Sequence, residues 1–458
     1  MNKIGIDVSK DSVTVHLLEE YPKGGLIAHW NKTSQKLKLN YPKFYLNPEG
    51  ESRTNPPPGL PEFISFLLFN GVTDAAIEPT GLHYSHLWAK ALESAAVNIR
   101  WVGHVQARTY RAGRQLPNKT DSADALALAA YLFDQEHLLA TGELNPKYFL
   151  MHRPHPIDEL RAACLYLEHS NKTSRVVGNY AQQLMTWQWP ERKISNSGTK
   201  IEGNLPPLLA FLGEQPERCT KVGWSRVNNS YQKSVARSYN IEIDPYLREQ
   251  ARILAIVHDS DKRLEAELKR LVDNPCFEVY HSIFDRFGFP LKIRANILTR
   301  IYPFESFLND EGTEWIEYRV KEVDKHEASY SKSGRRVVDK KGKTTKRCKI
   351  NHSRDIFKMQ LGMGSVIKQS GDYWYENKAG SSSARVTLWR FSRSMVEVRD
   401  KLPDTDLANE LINYCEKLKF DEDGNRIKGL IPKAVTTKIS AKVANMLYRE
   451  LIRALGQR

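Results

Sequence analysis

Short alternating runs of apolar and polar residues dominate the first third of the chain, and a helical period takes over in the second. Lys3–Asp7, Thr14–Leu18 and Leu26–Asn31 read as strands, followed by a stretch rich in Pro, Asn and Lys over 32–60 that reads as a loop insertion. A helix at Pro61–Asn70, a strand at Val72–Ile77, a helix at Tyr84–Ser94, a strand at Asn98–Val102, a helical segment at Gly103–Gly113 and a helix from Asp121 to Phe133 complete the pattern. Strands first and β-α alternation afterwards predict an α/β domain with a mixed sheet over 1–150.

Residues 156–189 carry apolar side chains at helical spacing (Leu160, Cys164, Leu167, Val177, Leu184) until Pro190 stops the pattern. A second long amphipathic helix covers Tyr246–Val272, with Leu254, Val257, Leu264, Leu268 and Leu271 as its stripe. The two bracket a polar insertion at 190–243, so 151–275 reads as a helical stalk: an antiparallel pair, a coiled coil between chains, or packing within one chain. A third, mainly helical part spans 276–458. It contains a basic, apolar-poor stretch at 323–350, expected as a solvated loop or an arm that orders on nucleic acid, and ends in a basic amphipathic helix at 435–458.

No stretch of apolar residues is long enough to span a bilayer, and MNKIGID leads directly into a strand, so neither a membrane segment nor a signal peptide is expected. The five cysteines (Cys164, Cys219, Cys276, Cys348, Cys415) form no CxxC pair, which supports neither a disulfide framework nor a zinc knuckle and fits a reducing cytoplasm. The formal net charge of +14 and the pI of about 9.3 favour a polyanionic partner.

Four carboxylates carry the candidate chemistry. Asp7 ends the first strand, Glu78 follows the strand Val72–Ile77, and Asp121 and Asp124 stand three apart at a helix start, hence on one face. Each alone has a structural reading, as a turn cap or an N-cap favoured by the helix dipole. Together they predict one site that needs divalent cations to offset mutual repulsion, as in a metal-dependent nuclease or recombinase. Two such ions about 4 Å apart suit in-line attack on a phosphodiester. Arg108, Arg111, Arg114 and Lys119 precede the last two acids and are candidates for phosphate contact, with His104 as a polar neighbour.

Asp7 with Ser9-Lys10, Glu78 with Pro79-Thr80-Gly81, and Lys119-Thr120-Asp121-Ser122-Ala123-Asp124 resemble the N-terminal half of the DEDD-type insertion-sequence transposases. That family includes the Piv/MooV invertases and the bridge-RNA-guided recombinases. In its C-terminal half, Phe287-Gly288-Phe289-Pro290 stands where the family has Pro-Gly-Ile-Gly, a departure from its pattern. Leu361-Gly362, Ser370-Gly371 and Lys378-Ala379-Gly380 leading to Arg385 follow the family's order. The resemblance implies a ribonuclease-H-like, RuvC-like N-terminal domain that holds Mg²⁺ or Mn²⁺ on Asp7, Glu78, Asp121 and Asp124. It implies Ser370 as the nucleophile, with Ser381, Ser382 and Ser383 as competitors. It further implies donor and target DNA, a structured non-coding guide RNA, and a homo-oligomer, dimer or tetramer, in a prokaryotic cytoplasm. Two other readings stay open: a resolvase-like Mg²⁺-dependent nuclease with no covalent intermediate, and a non-catalytic nucleic-acid-binding relative.

Overall fold

The computed structural model describes residues 2–36, 42–46, 57–79, 81–116, 120–136, 149–150, 156–194, 203–309, 311–330, 336–370, 373–399, 401–427, 429 and 431–456, with side chains outside the description at 33–36, 81–83, 321–330, 336–346, 366–370 and 373–377. Two compact units divide the chain, Met1–Arg153 and Pro154–Arg458.

In the first unit, β1 (Asn2–Val8), β2 (Ser12–Leu18), β3 (Lys43–Tyr45), β4 (Val72–Ile77) and β5 (Asn98–Trp101) form one sheet in the order β3-β2-β1-β4-β5. The leading three strands are antiparallel neighbours, whereas β4 pairs parallel with both β1 and β5. The α/β class with a mixed sheet is therefore as expected. Two details differ. Leu26–Asn31 lies in a helix, α1 (Leu26–Lys36), because Leu26 and Trp30 stand one helical turn apart and pack into the same apolar cluster. The third strand is instead the short segment Lys43–Tyr45, within the expected loop.

Each face of the sheet is covered by helices. Ile4, Ile6, Val8 and Ile77 point to Phe63, Trp88 and Leu92 on α2 (Leu60–Phe69) and α3 (Gly81–Ser94). The alternate residues meet α5 (Asp121–Asp134), which follows α4 (His104–Gly113). Alanines at 123, 125, 127, 129 and 130 let α5 lie close on the strands. Closest of all is the approach at Gly5, where a Cβ would fall 2.0 Å from the Ala125 carbonyl oxygen and 2.3 Å from the Ala129 nitrogen.

His16, paired across the ladder with Gly5, is buried, and its Nε2 lies 3.2 Å from that of His29 on α1. Burial, with a contribution from His29, depresses the His16 pKa to about 3. The folded state thus holds a neutral imidazole where the unfolded chain takes up a proton near pH 6.5. This contribution to stability is complete above pH 6.5 and is lost as pH falls from there toward 3, at about 1.36 kcal/mol per unit, or about 2 kcal/mol at pH 5. Urea midpoints at pH 7.5 and 5 are expected to diverge less in His16→Gln than in wild type, and equal divergence would exclude His16 as the cause.

In the second unit, α6 (Ile157–Gln188) and α10 (Pro245–Val272) pack antiparallel within the chain: Ala181 and Met185 meet Leu247, Ala251 and Leu254, while Arg270 lies near Glu159. The insertion between them is folded. Its α7 (Pro207–Leu212), α8 (Lys221–Gln232) and α9 (Val235–Ser238) bury Leu205, Leu209, Leu212, Val227 and Tyr231 against the two long helices. Residues 195–202 of it lie outside the described residues. Farther along come α11 (Glu278–Phe287) and α12 (Leu291–Ile301), separated by Gly288 in a left-handed conformation (φ 68°). The helix α12 packs on both α6 and α10, so the expected stalk and the segment after 275 belong to one compact unit.

Phe284, Phe287, Phe289 and Phe391 form one aromatic cluster, and Phe304, Phe307, Phe357 and Tyr448 another. The C-terminal α16 (Pro432–Leu455) is a core helix, burying Val435, Ile439, Val443, Leu447 and Leu451. Residues 323–350, read as a loop or arm, lie instead largely in a two-stranded antiparallel ribbon, β6 (Ile316–Tyr330) and β7 (Arg336–Asn351). At 15 residues, β6 extends roughly 50 Å. A second hairpin, β8 (Gly364–Ser370) with β9 (Tyr373–Ala379), lies between α13 (His352–Gln360) and α14 (Ser382–Phe391). The remaining α15 (Asp406–Lys419) packs against α16.

Candidate active site

Asp7 and Glu78 are brought side by side by the parallel pairing of β1 with β4. The register runs Ile4↔Ala75, Gly5↔Ala76, Ile6↔Ile77, and the next step sets Asp7 beside Glu78, the first residue past β4. Side chains alternate across a strand, so Asp7 shares the face of Gly5, and Glu78 that of Ala76. Both faces are the one covered by α5: Gly5 touches its backbone, and Ala76 clusters with Leu128 and Leu132.

The direction of α5 follows from three contacts along β1. The Lys3 Nζ lies 4.3 Å from the Phe133 ring centre and 3.1 Å from Glu136, whereas Gly5 faces Ala125–Ala129. The helix therefore runs antiparallel to the strand. Two residues of strand rise about 6.6 Å, which corresponds to roughly four residues of helix. Asp7 thus lies opposite the first turn of α5, the turn that bears Asp121 and Asp124. All four backbone positions gather at the C-terminal end of β1.

The N-cap of α5 is Thr120, whose Oγ1 accepts from the Ala123 nitrogen at 3.3 Å, so Asp121 is not the capping residue and is exposed. Glu78 accepts a hydrogen bond from, or shares a proton with, His104 (Nδ1 to Oε2 2.9 Å), and Asp124 is paired with Arg111. Both partners come from α4. Arg114 pairs with Asp134, while Arg108 is exposed; Lys119 lies outside the described residues. Of the basic residues expected to meet phosphate, Arg111 and Arg114 are thus engaged with carboxylates. A clasp between Arg111 and Asp124, thirteen residues apart, has no local signature in the sequence.

As placed, no three acidic, histidine or cysteine side chains among the described residues converge closely enough to hold a metal ion. The donor chemistry nevertheless suits a hard divalent cation such as Mg²⁺ or Mn²⁺, because carboxylate oxygens are its preferred ligands. Thr14, buried and paired with Asp7 across the β1–β2 ladder, adds a hydroxyl-bearing neighbour that motif spacing did not single out.

Ser370 belongs to the second unit. It ends β8 and pairs with Tyr373; its side chain, and Gly371 and Asp372 between the strands, lie outside the description. The base of this hairpin is fixed by two glycines with positive φ. Gly362 has φ 73° and Gly380 φ 88°, and a Cβ on Gly380 would fall 1.7 Å from the Met359 carbonyl oxygen. Arg385 closes the base by donating from Nε to the Gly362 carbonyl at 2.7 Å. Ser381 N-caps α14, accepting from the Ala384 nitrogen at 3.2 Å, while Ser382 is exposed in its first turn. No protein-family model matches this sequence, and no curated protein matches it.

Proposed function

We propose that the chain is a DNA recombinase of the DEDD transposase type, with a ribonuclease-H-like first unit. The observation that carries this reading is the placement of Asp7 and Glu78 at adjoining register positions on the sheet face under α5, with Asp121 and Asp124 on the turn opposite. The antiparallel leading strands, the parallel β4 and β5 and the helix laid across β1 also support it.

Asp7, Glu78, Asp121 and Asp124 would hold Mg²⁺ or Mn²⁺, which supplies charge neutralisation at the scissile phosphate. Glu78 and Asp124 must then exchange His104 and Arg111 for the cation, and Arg111 is left positioned for a phosphate oxygen. Ser370 is the proposed nucleophile. Its Oγ forms a bond to phosphorus as a P–O bond to the sugar breaks; the serine proton is lost to a base and the departing sugar oxygen is protonated. A serine hydroxyl is a weak nucleophile without activation, so this step draws on the carboxylate unit of the same or a second protomer. Donor and target DNA and a structured guide RNA are the proposed partners, consistent with the charge of +14.

Incubating purified protein with Mg²⁺ and labelled DNA, then denaturing, tests the assignment. Wild type is expected to yield a covalent protein–DNA adduct and Ser370→Ala none. Mixing Ser370→Ala with Asp7→Ala protein restores cleavage if the site is shared between protomers. Cleavage without an adduct would favour metal-activated water and the nuclease reading, whereas a full adduct in Ser370→Ala would move the nucleophile to Ser381, Ser382 or Ser383.

A further inference from the structure

The root of the β6–β7 ribbon has two faces of different character. Register pairs Ile316↔Asn351, Tyr318↔Lys349 and Val320↔Arg347 lie on one face; Glu317↔Ile350 and Arg319↔Cys348 lie on the other. On the second face the charges are matched. Glu317 accepts from His352 Nε2 at 2.7 Å and from Arg319 Nη2 at 2.9 Å, and these bonds hold its carboxyl down at about 2.

The first face is open. Tyr318 is 54% exposed and Val320 69%, and the Arg347 guanidinium carbon stands 4.4 Å from the centre of the Tyr318 ring. Lys349, opposite Tyr318, is exposed as well. Among the described residues, neither Arg347 nor Lys349 meets a carboxylate. Down the same face, Asn351 lines a cavity of about 510 Å³ with Arg354 and Lys358, and Lys358 also borders a second cavity of about 440 Å³ with Lys378 and Arg385. Acidic Glu314 in the first cavity is tied to Asn351 and Tyr448, and Arg449 there is held by Glu410 and Glu450. Cations therefore follow one another from the ribbon onto α13, where Arg354 also lies 3.6 Å from Asp355, with an accessible aromatic ring at their head.

We propose that this face binds an unpaired polynucleotide strand, with Tyr318 stacking on a base and Arg347, Lys349, Arg354 and Lys358 following its phosphates. An accessible ring gains most from a base whose own face is free, which a duplex does not offer away from its ends, and row-like cations suit a flexible backbone. The inference rests on the recombinase reading for the class of partner only; ring, register and charge carry the rest.

Fluorescence anisotropy of the full chain with oligo(dT) and oligo(U) of about 20 nucleotides, and with a duplex of equal length, tests it. Tyr318→Ala is expected to weaken single-strand binding about tenfold, with Tyr318→Phe near wild type and duplex binding changed by less than about twofold. Arg347→Ala/Lys349→Ala is expected to reduce the log–log salt slope on single strands by about 1.4. The oligonucleotide that loses more identifies the sugar. Unchanged single-strand binding in Tyr318→Ala, or an equal loss on duplex, overturns the proposal. Were the wild type to bind no polynucleotide, the recombinase reading itself would fall, a result distinct from either.

Discussion

Asp7→Asn is expected to lower Mg²⁺-dependent strand cleavage by about 10³-fold or more while leaving fold and DNA binding nearly intact. The substitution keeps the size of the side chain and one oxygen, and removes the charge that the proposed site would offer a cation. Metal-assisted stabilisation of a phosphoryl transition state is worth several kcal/mol, and about 4 kcal/mol corresponds to that rate loss. Because size and shape are kept, the thermal midpoint is expected to shift little. Binding stays within about twofold, because phosphate contacts made elsewhere dominate it. Parallel cleavage, anisotropy and melting assays separate these effects; wild-type cleavage by Asp7→Asn would remove the carboxylate site from the reaction.

Gly5→Ala, one alternate position upstream, is expected to be the most damaging single methyl in the first unit. Its Cβ would meet backbone atoms of Ala125 and Ala129 at 2.0 and 2.3 Å, and a backbone has no rotamer by which to withdraw. Overpacking of this kind costs about 3 kcal/mol or more. For a unit of this size that lowers the melting temperature by about 6–12 °C. Since α5 must lift from β1 to admit the methyl, Asp121 and Asp124 also move relative to Asp7, and cleavage falls even where the protein still folds. Gly113→Ala in α4 provides the contrast: a Cβ there meets nothing within 4 Å, and alanine favours the helix by roughly 0.5–1 kcal/mol. Urea titration of the two variants measures the difference directly, and equal midpoints would contradict the close strand–helix contact.

The strands of the first unit were legible because each buries one face or both, which leaves apolar runs such as Ile4–Val8 and Val72–Ile77. Lys43–Tyr45 was not, since three residues cannot show a period. Leu26–Asn31 reads as a strand because its apolar residues crowd at the start, and only the i, i+4 pair Leu26 and Trp30 betrays the helix. The β6–β7 ribbon is hidden in the sequence for another reason. Its residues 321–350 are mostly polar and charged, so hydrophobic alternation is absent, and only β-branched residues such as Val320, Val323, Val337, Thr344 and Thr345 remain as a signal. The insertion at 190–243 reads as merely polar from its Pro, Gly and Asn content, which marks the joints between short helices. The acidic positions were legible one by one. Their gathering at the end of β1 depends on strand register and helix direction, and Arg111 as partner of Asp124 on packing between two helices, none of which is encoded locally.

The antiparallel pairing of α6 with α10 returns the chain to its starting point after the folded insertion. At that neck Gln188 and Asp244 exchange hydrogen bonds, side chain to side chain at 2.6 Å and from the Asp244 nitrogen to Gln188 at 3.0 Å, and Asp244 also caps α10. A module entered and left at adjoining residues can be varied in its outer part while the long helices keep their pairing. Any replacement must cover Met185, Leu247 and Leu254, which the present helices shield, and replace the ion pairs of Arg218 with Asp259 and of Glu214 with Arg248 and Arg252. The neck is thus a natural graft point, at which lineages or engineers could vary what the helical pair carries while the rest of the unit stays the same.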